Sequence, residues 1–258
     1  MAWVSDCYIC THTGCGRSSN EDNFFANGLT VPKEKHRRGL RRFIMSEEAT
    51  QLYAVCDGMG GQAGGALASA LAVDMLRPLL SNFARWESIE LAINDYTQKA
   101  NQAVCALPGG QAGTTLTLAH LQRGSLTIAH LGDSRAYLMR KGKLEQLTQD
   151  HTEAARLKSL GVTPPLSGRE SALTRYLGLT LPGLVLAPSY HGPLRLRQGD
   201  CLLLCSDGLY QALSAKKMER ILKRAIRSPA YSLVRAALKA KAQDNITAMV
   251  IDVWKRRK

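Results

Sequence analysis

The chain has 258 residues, of which 45% are hydrophobic, and this is sufficient for one large layered domain with a sizeable core. It contains no run of about 18 apolar residues, which excludes a membrane-spanning helix. Residues 1–8 show no basic stretch followed by a long apolar run, so secretion is not expected. The net charge of +13 is compatible with nucleic acid, an anionic membrane or acidic proteins as partners.

The first predicted strand contains Cys7 and Cys10, and His12 follows two residues later. This spacing resembles part of a zinc site. No second pair of ligands follows at finger-like spacing, so small buried hydrophobes in a strand are the favoured interpretation. The chain has seven cysteines, an odd number scattered along its length, which is typical of free thiols in a reducing compartment. A cytoplasmic location is therefore expected.

A basic run at residues 33–42 lies within a segment, 28–50, that has no clear periodicity. The run lacks the interleaved aromatic residues of a platform for single-stranded nucleic acid, and nucleic-acid binding is not expected. A solvated loop is the favoured interpretation, and docking to an acidic partner or a phosphorylated segment is the alternative. Near the entrance of a site, such a segment would steer anionic substrates.

Further along the chain, short apolar runs predict buried strands, and turn signals at Gly124 and 141–143 join neighbouring runs at hairpin spacing. The predicted strands are 52–56, 114–121, 125–131, 136–139, 201–205 and 246–253. Helical periodicity predicts helices at 64–80, 87–107, 214–226 and 228–241. Because the helices come in pairs, the pattern is not one of alternating βαβ units. An α+β fold is predicted, with two packed antiparallel β-sheets flanked by pairs of α-helices.

No internal repeat, low-complexity tract or linker divides the chain, so residues 1–258 are predicted to form a single domain. The segment 151–193 combines a short helical pattern with Pro164, Pro165 and Pro182. Prolines at this density interrupt regular elements, and an irregular surface lobe is expected there.

Aspartates stand at the ends of the predicted strands. Asp57 directly follows the apolar run 52–56. Asp133 and Asp207 come shortly after two other runs, and Asp244 precedes the last strand. Each carboxylate alone would be read as a turn-former or a helix cap. Together they are expected at the rims of the sheets, where they would repel one another unless cations neutralise them, and oxygen ligands favour Mg²⁺ or Mn²⁺ over zinc.

Glycines follow the first of these aspartates in the sequence DGMGG that starts at Asp57. Because Gly58 has no side chain, its carbonyl can approach a metal already held by Asp57. The spacing of Gly58, Gly60 and Ala63 also fits a dinucleotide-binding loop, which expects an acidic residue about 20 positions later beside a second parallel strand. Residues 77–85 contain neither an acid nor a strand, so this alternative is disfavoured.

Seven short blocks follow one another along nearly the whole chain. They are RSSNEDN at 17–23, DGMGG at 57–61, AGTT at 112–115, GDSR at 132–135, LTQDH at 147–151, SDGL at 206–209 and DNIT at 244–247. Any one block is weak, but the ordered set resembles the bacterial branch of the type 2C (PPM) family of metal-dependent serine/threonine protein phosphatases. The resemblance implies two Mn²⁺ or Mg²⁺ ions, and a third in bacterial members.

The resemblance also implies ligands for these ions. Asp57 would bridge two metals, with the Gly58 carbonyl on one of them. Asp207 and Asp244 would complete the first metal. Glu21 would hold the second metal, directly or through water.

Three further residues have roles that the resemblance implies. Asp133, together with Asp207, would bind the third and weaker metal. Asp22 would orient metal-bound waters. Arg17 would clamp the substrate phosphate, for which its planar two-point donor is better suited than lysine.

In the implied mechanism, a water that bridges the metals attacks phosphorus in line and no phosphoenzyme forms. A thiol-based phosphatase would need a cysteine with an arginine six positions later, and none of the seven cysteines has one. The chain departs from the family pattern at Met59 and Gln62, where relatives carry histidines. The general acid is therefore unassigned. Of the nearby histidines His12 and His151, the second is expected to stabilise a loop.

The implied substrates are phosphoserine and phosphothreonine proteins, targets of a bacterial serine/threonine kinase. The alternative is a non-catalytic signalling domain of the same fold that binds phosphoproteins. A monomer without a nucleic-acid partner or a membrane span is expected. Residues 152–179 correspond to the family's flap, where Lys158, Arg169 and Arg175 are either phosphopeptide contacts or ordinary surface charges.

Overall fold

Two antiparallel sheets form the centre of the computed structural model, which describes residues 3–31, 40–60, 64–83, 86–109, 112–163, 172–181, 183, 185–225 and 227–255. The first sheet is built from β1 (Trp3–His12), β4 (Leu40–Ser46), β10 (Arg135–Arg140), β11 (Lys143–Gln146), β13 (Asp200–Cys205) and β14 (Ile246–Lys255). Its order is β11-β10-β13-β14-β1-β4, and every neighbouring pair is antiparallel.

The second sheet is also six-stranded and antiparallel. It is built from β2 (Asn23–Ala26), β3 (Leu29–Thr30), β5 (Thr50–Cys56), β8 (Leu116–Gln122), β9 (Ser125–Leu131) and β12 (Ser189–Arg195). Its order is β12-β9-β8-β5-β2-β3. A short ladder of β6 (Gly58–Met59) and β7 (Gly113–Thr114) lies beside it.

Helices cover the outer face of each sheet. Helices α1 (Gly64–Asp74), α2 (Leu76–Asn82) and α3 (Ile89–Cys105) share a buried cluster with the second sheet. Helices α5 (Asp207–Ala212), α6 (Ala215–Arg224) and α7 (Pro229–Lys239) share another with the first sheet. A third buried cluster fills the space between the two sheets. The layers are therefore helix, sheet, sheet and helix, and the predicted fold class is confirmed.

Each predicted strand coincides with strands of the two sheets. The predicted turns are confirmed as two-residue hairpin loops, because Gln122 pairs with Ser125 and Arg140 pairs with Lys143. Both central residues of each loop have positive φ, namely Arg123 and Gly124 in one and Lys141 and Gly142 in the other. This backbone matches the right-handed twist of the flanking strands.

The helix predicted at 64–80 is interrupted, because α1 ends at Asp74 and α2 begins at Leu76. Pro78 explains the break, since its ring clashes with the carbonyl four residues earlier and it has no N–H to donate. The short helical pattern in the segment 151–193 corresponds to α4 (Glu153–Ser159), whereas α5 was not predicted. With six residues, α5 holds too few turns to give a clear period. None of the described helices is long and apolar enough to span a membrane.

The solvated loop expected at 33–42 is wrong for its last three residues, which open strand β4. The strand was hidden because its exposed positions carry Arg41, Phe43 and Met45, so polar and apolar residues do not alternate. Residues 33–39 lie outside the described part of the chain. Strand β12 begins inside the segment 151–193, which was expected to be irregular. It accommodates Pro193 because it is an edge strand whose register shifts between His191 and Leu194.

We predict that Asp200→Ala lowers the free energy of unfolding by about 2 kcal/mol, measured by urea denaturation. Asp200 is 2% exposed and accepts hydrogen bonds from Arg140 and from the backbone N–H of Arg197. Removal of the carboxylate leaves these N–H donors without an acceptor. Asp95→Ala, which breaks the exposed ion pair with Lys99, is the control and is expected to cost under about 0.5 kcal/mol. Equal losses in the two variants would contradict this account.

Candidate metal centre

The strand register brings the predicted carboxylates to one edge of the sandwich. His12, at the end of β1, pairs with Ile246, at the start of β14, two residues after Asp244. In the second sheet, Asn23 at the start of β2 pairs with Cys56 at the end of β5. Glu21 and Asp22 therefore lie beside Asp57, which follows Cys56 directly in the chain.

The same edge receives the remaining two aspartates. Cys205, at the end of β13, pairs with both Ala248 of β14 and Arg135 of β10. Asp207 follows β13 and begins α5, while Asp133 stands just before β10. The antiparallel order thus places strand ends from both sheets at a common edge, and the sequence-predicted acids are brought together.

The electrostatics of Asp57 show how close this grouping is. Loss of solvent raises the pKa of Asp57 well above its usual value, and the charges of four other aspartates raise it further: Asp22, Asp207, Asp133 and Asp244. Asp207 also lies within hydrogen-bonding reach of Asp57, and burial followed by the charge of Asp244 raises its pKa to about 6. Burial, followed by Asp207 and Asp150, raises the pKa of Asp133 to about 7. The acids form one repelling cluster.

Asp22 is fully buried, and only one of its two carboxylate oxygens accepts hydrogen bonds from described residues. Its Oδ2 accepts hydrogen bonds from Ser206 and Thr247, each at 2.7 Å, and Thr247 also bonds Thr11. Its Oδ1 has no hydrogen-bond partner among the described residues. Burial raises the pKa of Asp22 to about 7, against the lowering effect of the two hydroxyl donors. An unpartnered buried carboxylate oxygen is costly for a protein unless something else binds it.

Two glycines allow the loop after β5 to pack against the acidic segment. A side chain at Gly58 would collide with the backbone of Gly65 in α1 and with the backbone carbonyl of Glu21. A side chain at Gly65 would collide with the Glu21 carboxylate. Ser69 of α1 donates to the same Glu21 carbonyl at 2.6 Å. Gly58 of the DGMGG block and Gly65 of α1 are therefore needed for close approach to Glu21.

Asn245 holds the loop that carries Arg17, a role that the sequence did not reveal. Its side-chain amide donates to the carbonyls of Thr13 and Ser19, both at 2.9 Å. Its carbonyl oxygen accepts the backbone N–H of Glu21 at 2.8 Å. The residue stands in the DNIT block, which was the only signal that could have indicated it.

Arg17, the predicted phosphate clamp, forms a two-point ion pair with Asp244, a predicted metal ligand. The distances are 2.8 Å from Nε to Oδ1 and 2.7 Å from Nη2 to Oδ2. The side chains are 59% and 34% exposed. An ion pair this open to water contributes at most about 1 kcal/mol, so it can exchange for other partners. A depression of about 560 Å³ opens in front of it, lined also by Gly16, Gly208 and Gln211.

These residues fit a hard divalent cation, although the described side chains do not already form a closed ligand cage. No three His, Cys, Asp or Glu side chains in the described ranges are gathered as a ready-made metal site. Asp244 faces Arg17, and Asp207 faces Asp57. The donors are all oxygens, they repel one another, and Asp22 offers an unpartnered one. That donor set suits Mg²⁺ or Mn²⁺.

Asp133 is supported by a chain of contacts that includes Tyr210, which the sequence reading missed. The Tyr210 hydroxyl lies within hydrogen-bonding reach of the Asp133 carboxyl. The Arg135 guanidinium stacks 3.6 Å from the centre of the Tyr210 ring. The same guanidinium forms a two-point ion pair with Asp150, at 2.9 and 2.7 Å. The GDSR and LTQDH blocks thus meet behind Asp133.

The two histidines considered as general acids are occupied by structural contacts. His151 Nδ1 accepts the backbone N–H of Gly132, so Nε2 carries the proton and donates to Ser189 at 2.9 Å. Burial and the charge of Arg175 lower the pKa of His151 to about 4. His12 accepts the N–H of Gly14, and burial lowers its pKa. Gln62 and the flap residue Arg169 lie outside the described residues.

None of the flap side chains that the structure describes belongs to the carboxylate cluster. Lys158 lies on α4, and Arg175 is exposed, with a 3.5 Å contact to Ser189. A separate cavity of about 560 Å³ lies between the flap and the edge of the second sheet, and its lining includes His130 and His151. Their rings stack in parallel, 4.2 Å apart. This cavity is distinct from the depression at Arg17.

A four-layered sandwich with acidic side chains gathered at one edge defines a candidate metal-dependent site. The chain belongs to the protein phosphatase 2C family, whose profile matches residues 32–246. This confirms the family that the seven sequence blocks resemble.

Named relatives agree with this assignment. The chain is 30% identical to a serine/threonine phosphatase stp of Listeria innocua over 256 residues, which covers 94% of this chain and 93% of that protein. It is 32% identical to the serine/threonine protein phosphatase PstP of Mycobacterium tuberculosis over 211 residues, or 79% of this chain, and the match spans 40% of PstP's length. A solved PstP catalytic domain in complex with two manganese ions shares 29% identity and a TM-score of 0.75, with 98% of this chain and 100% of that one covered.

We predict that Tyr210→Phe weakens the lowest-affinity Mn²⁺ binding step about fivefold, measured by isothermal titration calorimetry, because one hydrogen bond that holds Asp133 is lost. Tyr190→Phe is the matched control, since the Tyr190 hydroxyl bonds Glu90 and Asn94 in α3. Binding curves that coincide for the two variants would show that Tyr210 does not orient Asp133.

Proposed function

We propose that this chain is a Mn²⁺- or Mg²⁺-dependent phosphatase that hydrolyses phosphoserine and phosphothreonine on proteins. The observation that carries the proposal is the gathering of five aspartates at one edge of the sandwich, with an unpartnered buried oxygen on Asp22. The serine/threonine phosphatase names of the relatives support the substrate class. Phosphorylated targets of a bacterial serine/threonine kinase would be the partners, and we expect a monomer.

The proposed ligands are those that the family resemblance implies. Asp57 would lie between two ions, with the Gly58 carbonyl on one side. Asp207 and Asp244 would complete the first ion and Glu21 the second. A third and weaker ion would lie at Asp133. The Mn²⁺ complex of the PstP domain supports the choice of ion and the number two.

The bound ions would supply a water of lowered pKa as the nucleophile for in-line attack, and would neutralise the charge that builds up on the phosphate. Asp22, held by Ser206 and Thr247, would accept a hydrogen bond from that water through its free Oδ1. Arg17 can leave Asp244 and offer its planar pair of N–H groups to two phosphate oxygens. Its exposure at the mouth of the depression makes this exchange cheap.

The two thiols nearest the carboxylates in sequence do not compete as nucleophiles. Cys56 and Cys205 are the cysteines nearest the carboxylates in sequence, and both are fully buried. Burial and the neighbouring Asp57 raise the pKa of Cys56, and burial also raises that of Cys205. A thiol held protonated is a poor nucleophile. No side chain is assigned to protonate the leaving group, since His12 and His151 both make structural hydrogen bonds.

We predict that Asp57→Asn and Asp207→Asn each lower the rate of hydrolysis of a phosphothreonine peptide by about 100-fold or more, and that EDTA abolishes the wild-type activity. The physical reason is the loss of a charged metal ligand. Asp74→Asn is the matched control, because Asp74 lies exposed at the end of α1, away from the site.

Normal turnover by Asp207→Asn would overturn the ligand assignment. A wild-type protein that binds the phosphopeptide tightly, with Mn²⁺ present, and never hydrolyses it would support the non-catalytic alternative instead.

A further inference from the structure

The proposed chemistry uses little of the chain's net charge of +13, since Arg17 is the one cation assigned to the site. Part of the remaining positive charge lies beside strand β4 of the first sheet, on Arg41 of β4 itself and on Arg227 just before α7. Arg227 forms no ion pair with any described residue.

Strand β4 is the outermost strand of its sheet. It pairs with β1 along its whole length, from Ser46 opposite Ser5 to Leu40 opposite Thr11. No described strand pairs with its other edge. An unpaired edge presents backbone N–H and C=O groups that can bind another extended chain.

The outward face of β4 combines charge with apolar surface. Ile44 points into the core between the sheets, so its neighbours Phe43 and Met45 point outward. Each is 56% exposed, which is unusual for such large apolar side chains. Arg41 shares this face, because side chains two apart on a strand lie on the same side. Arg41, Phe43 and Met45 therefore form one row of side chains that faces solvent.

A groove of about 500 Å³ separates β4 from the start of α7. Its lining includes Tyr8, Arg41, Phe43, Arg227 and Tyr231. No acidic residue is among the described residues that line this groove.

We propose that this surface binds an acidic segment of a partner protein in an extended conformation, added as a further strand along the free edge of β4. We call the surface the basic edge and define it by Arg41, Phe43 and Arg227, which line the groove beside β4. Carboxylates of the segment would face the arginines, and apolar side chains would cover Phe43. The inference does not depend on the phosphatase activity.

The charge along β4 also gives the bound segment a direction. Asp6 pairs with Met45, and Asp252 of β14 lies opposite Asp6, so the far end of the outer face is acidic. The positive end is the one at Leu40, which pairs with Thr11 near the carboxylate edge of the sandwich. The acidic residues of the segment would therefore lie toward the end of β4 that is nearer the candidate metal centre.

The contacts of the aromatic rings favour a peptide over nucleic acid. The Arg41 guanidinium covers the Tyr231 ring at 3.1 Å from its centre, and Tyr8 packs against Phe43 with ring centres 4.9 Å apart. Their faces are partly occupied, whereas binding of single strands needs open aromatic faces for stacking. A membrane surface would need a larger apolar area than Phe43 and Met45 provide.

The test uses a fluorescein-labelled peptide of about ten residues that alternates glutamate and valine, and a twin with glutamine in place of glutamate. Fluorescence anisotropy measures binding to the full chain. We expect saturable binding of the acidic peptide and at least about tenfold weaker binding of its twin.

The double variant Arg41→Glu with Arg227→Glu should lose about tenfold or more in affinity for the acidic peptide. Arg197→Glu, at an exposed site in the loop between β12 and β13, makes the same type of charge change and should have little effect.

Two further readouts make the result decisive. Hydrogen exchange of the wild-type protein should show that the peptide protects backbone amides of β4, whatever the stability of the variants. Hydrolysis of p-nitrophenyl phosphate should be unchanged in the double variant, so a failed phosphatase assignment and a failed docking assignment are distinguishable.

The proposal is overturned if the acidic peptide does not saturate, if Arg197→Glu matches the double variant, or if the β4 amides stay unprotected. Duplex DNA and vesicles containing phosphatidylserine are the competing ligands. If either binds more tightly than the peptide and is lost in the same double variant, the basic edge recognises phosphate-rich surfaces and not an acidic protein segment.

Discussion

The structure depends on holding several carboxylates together at one edge of a sandwich, against their mutual repulsion and the loss of water around them. Asp22 shows the cost most directly, because it is completely buried and one of its oxygens has no partner among the described residues. Folding tolerates such a group when hydrogen bonds and cations offset its charge. Ser206 and Thr247 supply two of the hydrogen bonds. Bound cations would supply the rest, so the stability of this edge and its proposed chemistry have the same origin.

The antiparallel register of the strands brings these carboxylates together in one site. Strand ends from both sheets reach the same edge, so acids that are far apart in sequence become neighbours, such as Asp57 and Asp244. Backbone packing at Gly58 and Gly65 draws α1 against Glu21, and Asn245 fixes the loop that carries Arg17. In this arrangement Arg17 neutralises Asp244. The same guanidinium could exchange a carboxylate for a phosphate, since both offer two oxygens in one plane.

Much of the fold and of the candidate site could be predicted from the sequence, wherever a local pattern indicates a single structure. The apolar runs that became β5, β9 and β13 are continuous because both faces of their sheets are covered, and the acid after each run had to lie at an edge. Strand β4 could not be predicted in this way, because its exposed face carries apolar side chains beside arginine. The break at Met75 could have been found from Pro78. The contacts of Asn245 and Tyr210 could not, since they join residues more than 70 positions apart.

The central claim is that the clustered carboxylates are metal ligands, and anomalous diffraction from crystals soaked in Mn²⁺ tests it most directly. We expect two strong manganese peaks, both in contact with Asp57, and an Asp244 carboxylate that has moved from Arg17 to one of the ions. The claim would be contradicted by manganese bound only elsewhere on the protein, with the ion pair of Arg17 and Asp244 intact at Mn²⁺ concentrations that saturate the protein in solution.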